Sequence, residues 1–119
     1  MGPRRLLVIA PDADYRQSLA FVLEAEGFAV ADHPGPPLPP RLAGEGFACT
    51  VLDLKSLRGL SPEVATSFCA QLAPAVLLGP RAPEWLAGTG CQHVETPIIE
   101  DRLLAAVRAA IAAPPRSAI

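Results

Sequence analysis

The chain has 119 residues, of which 50% are hydrophobic and 18% charged, with a net charge of −2. That length and hydrophobic content indicate one globular domain around one core and exclude a disordered chain. Arginines are scattered and Lys55 is the only lysine, so no basic footprint for nucleic acid exists, and no run of 18 apolar residues offers a membrane span.

Leu6-Leu7-Val8-Ile9-Ala10 is an apolar run that reads as a buried strand. The basic start before it, Arg4-Arg5, is followed by too short an apolar stretch for a signal peptide. Pro11-Asp12-Ala13-Asp14 is a turn in which Asp12 or Asp14 can cap the next helix, Tyr15 to Glu26. Leu19, Val22, Leu23 and Ala25/Glu26 form its expected inner stripe, widened by Phe21, and Gly27 stops it. Phe28 to Ala31 is a short second strand, ended by Asp32-His33-Pro34-Gly35. Pro34 to Pro40 reads as a stiff connector rather than a polyproline ligand. At most one or two helical turns follow, over Pro40 to Ala43, before the Gly44-Glu45-Gly46 turn.

The third strand, about 48 to 53, is uncharged until it ends on Asp53. Such a run suits a strand buried on both faces of a parallel sheet. Ser56 to Ser61 reads as loop. Ser61-Pro62 starts a helix to about Gln71, with Val64, Phe68 and Leu72 on one face. Ala75 to Leu78 is the fourth strand, and Pro83 to Ala87 is a short helical piece stopped by Gly88-Thr89-Gly90. Cys91 to Glu95 is a short fifth strand, and Glu100 to Ala112 is a last helix with Leu103, Leu104, Val107, Ala110 and Ile111 inward. Residues 1–113 form the expected domain, and 114–119, beginning Pro114-Pro115, read as a tail or the start of a linker.

Strands alternating with helices imply right-handed crossovers and a parallel sheet covered on both faces. The fold class is therefore α/β, a flavodoxin-like doubly wound sheet in the order 2-1-3-4-5 with shortened second and fourth helical segments.

In such sheets, ligands gather at the carboxyl ends of the strands, where Asp53 falls. The residues alone also allow Asp53 to be a strand-end side chain that accepts from nearby backbone N–H groups. Asp12, Asp14 and Asp53 could form a cation site, although capping accounts for them as well. His33, His93 and Cys91 lack chelating spacing. Cys49, Cys69 and Cys91 are odd in number and widely spaced, as expected of reduced thiols in a cytoplasmic protein. The glycine turns lack the spacing of a phosphate loop or dinucleotide fingerprint. Trp85, beside Pro80 and Pro83, is either a partner anchor or a core filler.

The chain resembles the receiver domain of bacterial response regulators over about residues 4 to 112. Arg4-Arg5-Leu6-Leu7-Val8-Ile9 with its Asp-containing turn, Glu24-Ala25-Glu26-Gly27-Phe28, Val51-Leu52-Asp53-Leu54, Pro74-Ala75-Val76-Leu77-Leu78 and Thr96-Pro97 carry the likeness. The resemblance implies a phosphoacceptor aspartate, two acidic Mg²⁺ ligands after the first strand, a Ser or Thr after the fourth strand and a Lys after the fifth. Mg²⁺ and lysine offset the repulsion between carboxylate and phosphate.

On that pattern Asp53 is the phosphoacceptor position. The acidic pair falls on Ala10 and Pro11, with Asp12 one place later as a substitute ligand beside Asp53. The hydroxyl position falls on Gly79, the lysine on Thr96 and the aromatic switch on His93. The resemblance thus implies a degenerate receiver, a non-enzymatic signalling module acting through protein contacts, without normal Mg²⁺-dependent phosphorylation and without a cofactor. Expected partners are a histidine kinase or output domain and a second copy of the chain, with Trp85, Leu86 and His93 on the interaction surface. The alternatives are a working receiver that uses Asp53 with an altered cation site, and a small flavodoxin-like enzyme or nucleotide binder. The latter lacks both a glycine fingerprint and a paired nucleophile and base.

Overall fold

The computed structural model describes residues 3–43, 45–98 and 100–112. The expected tail at 114–119 and Gly44 of the Gly44-Glu45-Gly46 turn lie outside them. The strands are β1 (Arg5–Ile9), β2 (Ala29–His33), β3 (Cys49–Asp53), β4 (Ala75–Gly79) and β5 (Cys91–Glu95). The helices are α1 (Ala13–Ala25), α2 (Pro40–Ala43), α3 (Pro62–Leu72) and α4 (Glu100–Ala112). All strand pairs are parallel, in the order β2-β1-β3-β4-β5.

The central strands β3 and β4 are buried at every residue. Their unbroken apolar runs feed two cores, one on each side of the sheet. Leu6, Val8, Val51, Val76 and Leu78 pack against α1 and α4 through Leu19, Leu23, Leu103, Leu104 and Val107. Leu7, Ile9, Leu52 and Leu77 pack against Leu42, Leu57, Ala65 and Cys69. Successive strand residues point to opposite faces, which is why alternate residues of one strand divide between the two cores.

The second face has the thinner cover. Only α3 is a full-length helix there. The connector rich in proline leaves α2 four residues long, and the segment before β5 is a 3-10 turn over Glu84–Leu86. A 3-10 turn also covers Leu54–Leu57, where the sequence suggested loop beginning at Ser56.

The helix ends follow their sequence signals. Asp12 caps α1, accepting from the N–H groups of Asp14 (2.9 Å) and Tyr15 (3.5 Å). Ser61 caps α3 through Val64 N–H at 3.2 Å, with Pro62 in the first turn.

Three details differ from expectation. Phe21 is 74% exposed, and Ala25 and Glu26 are exposed too, because α1 buries only Leu19 and Leu23 fully, with Val22 flanking. Val64 is 52% exposed, because the small residues Ala65 and Cys69 form the inner face of α3. Ile111 packs against the first core as expected, at the partly buried edge of the α4 face. Finally, β2 continues through Asp32 and His33, paired with Val8 and Ile9.

Candidate functional site

The parallel sheet brings the ends of β3, β4 and β5 to one edge. Asp53 is the last residue of β3 and is only 5% exposed. Its Oδ1 accepts from Lys55 N–H at 3.1 Å and so caps the 3-10 turn that follows. Ser56 Oγ closes the same turn by donating to the Asp53 carbonyl at 2.7 Å. The local capping role of Asp53 is thus present, and the side chain also faces a cavity.

That cavity, of ≈ 370 Å³, is lined by Asp12, Tyr15, Asp53, Leu54, Lys55, Gly79, Pro80, Thr96, Pro97 and Ile98. Four residues singled out from the sequence (Asp12, Asp53, Gly79 and Thr96) therefore meet in one place. Tyr15 and Lys55 were not singled out. Tyr15 follows the Asp12 cap by three residues, and α1 carries it over the sheet edge. Its phenol pKa is raised, first by burial and then by the negative charge of Asp53. Lys55 was legible only as the sole lysine, two residues beyond Asp53.

Ala10 and Pro11 are not in the lining. Ala10 is fully buried, and its carbonyl accepts from the Arg16 guanidinium at 2.7 Å. Arg16 is held in turn by Asp32, Nε to Oδ2 at 2.9 Å. Neither Ala10 nor Pro11 has a side-chain donor for a metal, and Asp12 Oδ1 is engaged in capping. Among the described residues, no group of three His, Cys, Asp or Glu side chains converges as a metal site. The described carboxylates that line the cavity are those of Asp12 and Asp53, without the acidic pair that the resemblance places at 10 and 11.

Gly79 is built into its surroundings. A Cβ at this position would lie 2.7 Å from Leu54 Cδ1, so the side chain next to Asp53 fills the space a larger residue would need. The Gly79 carbonyl accepts twice, from His93 Nε2 at 2.8 Å and from Thr96 N–H at 3.1 Å. The His93 ring therefore carries its proton on Nε2 and ties the middle of β5 to the end of β4. Trp85 and Leu86 are half-buried and pack against the second core, so the tryptophan fills space as well as meeting solvent. His33 sits apart at the end of β2, where its Nδ1 accepts from Gly35 N–H at 3.2 Å.

The cysteines lie away from this site, Cys49 in the first core and Cys69 and Cys91 at the second. Cys91 Sγ lies 3.6 Å from the Cys69 carbonyl oxygen. Burial, reinforced by Cys91, pushes the Cys49 and Cys69 thiols up to about 12.

Against known proteins, no protein-family model matches the chain. No curated protein matches it either. Solved structures do. Full-length FixJ from B. japonicum is 30% identical over 93% of the chain, with a TM-score of 0.75. The chain spans 59% of the length of that protein. A CheY-like receiver domain protein from Methanospirillum hungatei JF-1 aligns with 92% of the chain and 94% of its own length, at 18% identity and a TM-score of 0.76. A Burkholderia pseudomallei response regulator, solved with a phosphorylated aspartic acid, a calcium ion and citrate, aligns over 92% of this chain and 69% of its own, at 21% identity and a TM-score of 0.72.

The architecture is thus a doubly wound flavodoxin-like sheet with its site at the strand ends. More narrowly, the chain has the receiver-domain fold of two-component response regulators, and the resemblance read from the sequence holds.

Proposed function

We propose that this chain is a degenerate receiver domain that works in signal transduction as a protein-interaction module, without Mg²⁺-dependent phosphorylation of Asp53. One observation carries the reading. Where the resemblance calls for acidic ligands and a hydroxyl, the chain has Ala10, Pro11 and Gly79, and Leu54 fills the space at Gly79. Phosphorylation of a carboxylate brings two anions together, so it needs a cation and hydrogen-bond donors fixed around the transferred group. Asp53 keeps its place at the strand end and loses most of that support.

The module acts without a resident cofactor and has no enzymatic activity of its own. Its partners are a histidine kinase, an output domain or a second copy of the chain, met through the thinly covered face that carries Trp85, Leu86 and His93. Among the described residues, no helix is long and apolar enough to cross a membrane. A cytoplasmic location is part of the same proposal.

The test is incubation with acetyl phosphate and Mg²⁺, followed by intact-mass measurement. The expected result is no added phosphoryl group under conditions that label an ordinary receiver fully. A mass gain of one phosphoryl group that disappears in Asp53→Asn would refute the reading and favour a working receiver with an altered site.

A further inference from the structure

One carboxylate oxygen of Asp53 is committed to the protein and the other faces the cavity. The residue is only 5% exposed, and Oδ1 is occupied by Lys55 N–H. Oδ2 accepts no hydrogen bond from any described residue. Since no fully buried side-chain oxygen lacks a partner among these residues, Oδ2 keeps its contact with solvent through the cavity. The ion pairs of the described residues are Arg5–Glu45, Arg16–Asp32 and Arg108–Glu26. None includes Asp53, Asp12 or Lys55. A carboxylate that meets solvent through one oxygen can accept a charge-assisted hydrogen bond presented through that opening.

The cavity selects the kind of cation. Ala10 and Pro11 contribute no side-chain donor, so a hard divalent ion would have only the Asp12 and Asp53 carboxylates and would keep most of its waters. The carboxylates of Asp12 and Asp53 set against the Lys55 ammonium leave one negative charge, which a monocation neutralises. The Thr96 side chain contributes a hydroxyl oxygen, whereas Leu54, Pro80, Pro97 and Ile98 are apolar walls. A planar cation with several N–H donors and an alkyl stem suits such a lining, because it bonds in the plane and packs against carbon with its faces and stem.

We propose that this cavity receives the guanidinium of an arginine presented by a protein partner, with an N–H donating to Asp53 Oδ2. The assignment rests on the interaction-module reading and gives that module a specific contact. The retained aspartate then serves as the acceptor of a charge-assisted hydrogen bond.

The test is an NMR titration of the ¹⁵N-labelled 119-residue chain. N-acetyl-arginine methylamide, free L-arginine and MgCl₂ are added separately at matched ionic strength. The capped arginine should give saturable shifts confined to amides around the cavity, such as Lys55, Leu54 and Thr96. Asp53→Asn keeps the capping acceptor and the fold, and should weaken binding on the order of tenfold or more. Saturation by Mg²⁺ but not by the capped arginine would overturn the proposal in favour of a divalent ion. Tighter binding of free L-arginine would overturn the protein source. Unaltered binding in Asp53→Asn, or no saturable shift with any probe, would remove the site altogether. The acetyl phosphate experiment fails or succeeds independently. A chain that is phosphorylated yet binds the capped arginine when unphosphorylated loses the functional reading and keeps the site.

Discussion

Replacing Gly79 by alanine tests whether Leu54 has closed the hydroxyl position. The added Cβ would sit 2.7 Å from Leu54 Cδ1 and 3.3 and 3.4 Å from Leu54 Cβ and Cγ. Carbon atoms prefer about 3.5–4.0 Å, so the leucine must turn or the strand end must shift. Gly79 lies within a fully buried strand, and Leu54 is half-buried against the second core, so neither relaxes freely. Overpacking of this kind costs about 1–3 kcal/mol. Gly79 is not among the glycines with positive φ, so alanine also restricts the unfolded chain and recovers about 0.4–1 kcal/mol. The net expectation for Gly79→Ala is a loss of roughly 1 kcal/mol.

Leu54→Ala alone removes half-buried packing and should cost about 1–2 kcal/mol, below the range for a fully buried leucine. Combined, the two substitutions remove the 2.7 Å contact and leave only the 3.3 Å approach to the Cβ at residue 54. The double variant should then be no less stable than Leu54→Ala, giving a favourable coupling of about 1 kcal/mol or more. Urea denaturation followed by Trp85 fluorescence and far-ultraviolet dichroism measures all four corners of the cycle. Additivity within about 0.3–0.5 kcal/mol, or a neutral Gly79→Ala, would refute the idea that Leu54 occupies this space.

Asp53→Ala should lose about 1 kcal/mol relative to Asp53→Asn, because asparagine keeps the oxygen that accepts from Lys55 N–H; equal stabilities in a urea titration would count against the cap. Cys49 and Cys69 have folded pKa values raised from 9.0 to about 12. Their neutral thiols therefore contribute stability that is fully present below the unfolded value and lost as pH rises from about 9 towards 12. The urea midpoint should fall over that window, and less steeply in Cys49→Ala and Cys69→Ala. Phe21→Ser, at a position 74% exposed, should change stability by less than about 0.5 kcal/mol, whereas Leu23→Ala should cost about 2–5 kcal/mol; a comparable loss in both would put Phe21 back in the core.

The strands were legible because parallel strands buried on both faces carry continuous apolar runs, and β1, β3 and β4 lie close to where those runs fall. The last helix was legible for a related reason, since Leu103, Leu104 and Val107 recur at helical spacing and all face the first core. Phe21 misled because size was weighed above angle. At 3.6 residues per turn it lies about 200° around the helix from both Leu19 and Leu23. Val64 misled in a similar way. The inner face of α3 consists of Ala65 and Cys69, side chains too small to register as a stripe. Asp53, Asp12, Gly79 and Thr96 could be placed from the sequence, but two of their neighbours could not. Lys55 and Tyr15 reach the cavity only through the turn after β3 and the packing of α1, and His93 reaches the Gly79 carbonyl across 14 positions of sequence.

The departures from the receiver pattern are unlike one another in physical terms. At Thr96 a smaller residue leaves room, because this side chain lines an open cavity. At Gly79 the vacated space has been taken by Leu54, and the carbonyl is held by His93 and Thr96. Ala10 is walled in on all sides, with its carbonyl committed to Arg16 and Arg16 committed to Asp32. A lysine at 96 can therefore be introduced alone, whereas a serine at 79 needs a smaller residue at 54. A carboxylate at 10 would have to be accommodated among partners already bound to one another. The packing has closed over the missing groups at Ala10 and Gly79 and has left space at Thr96, so the site is a different arrangement built on the same strand end.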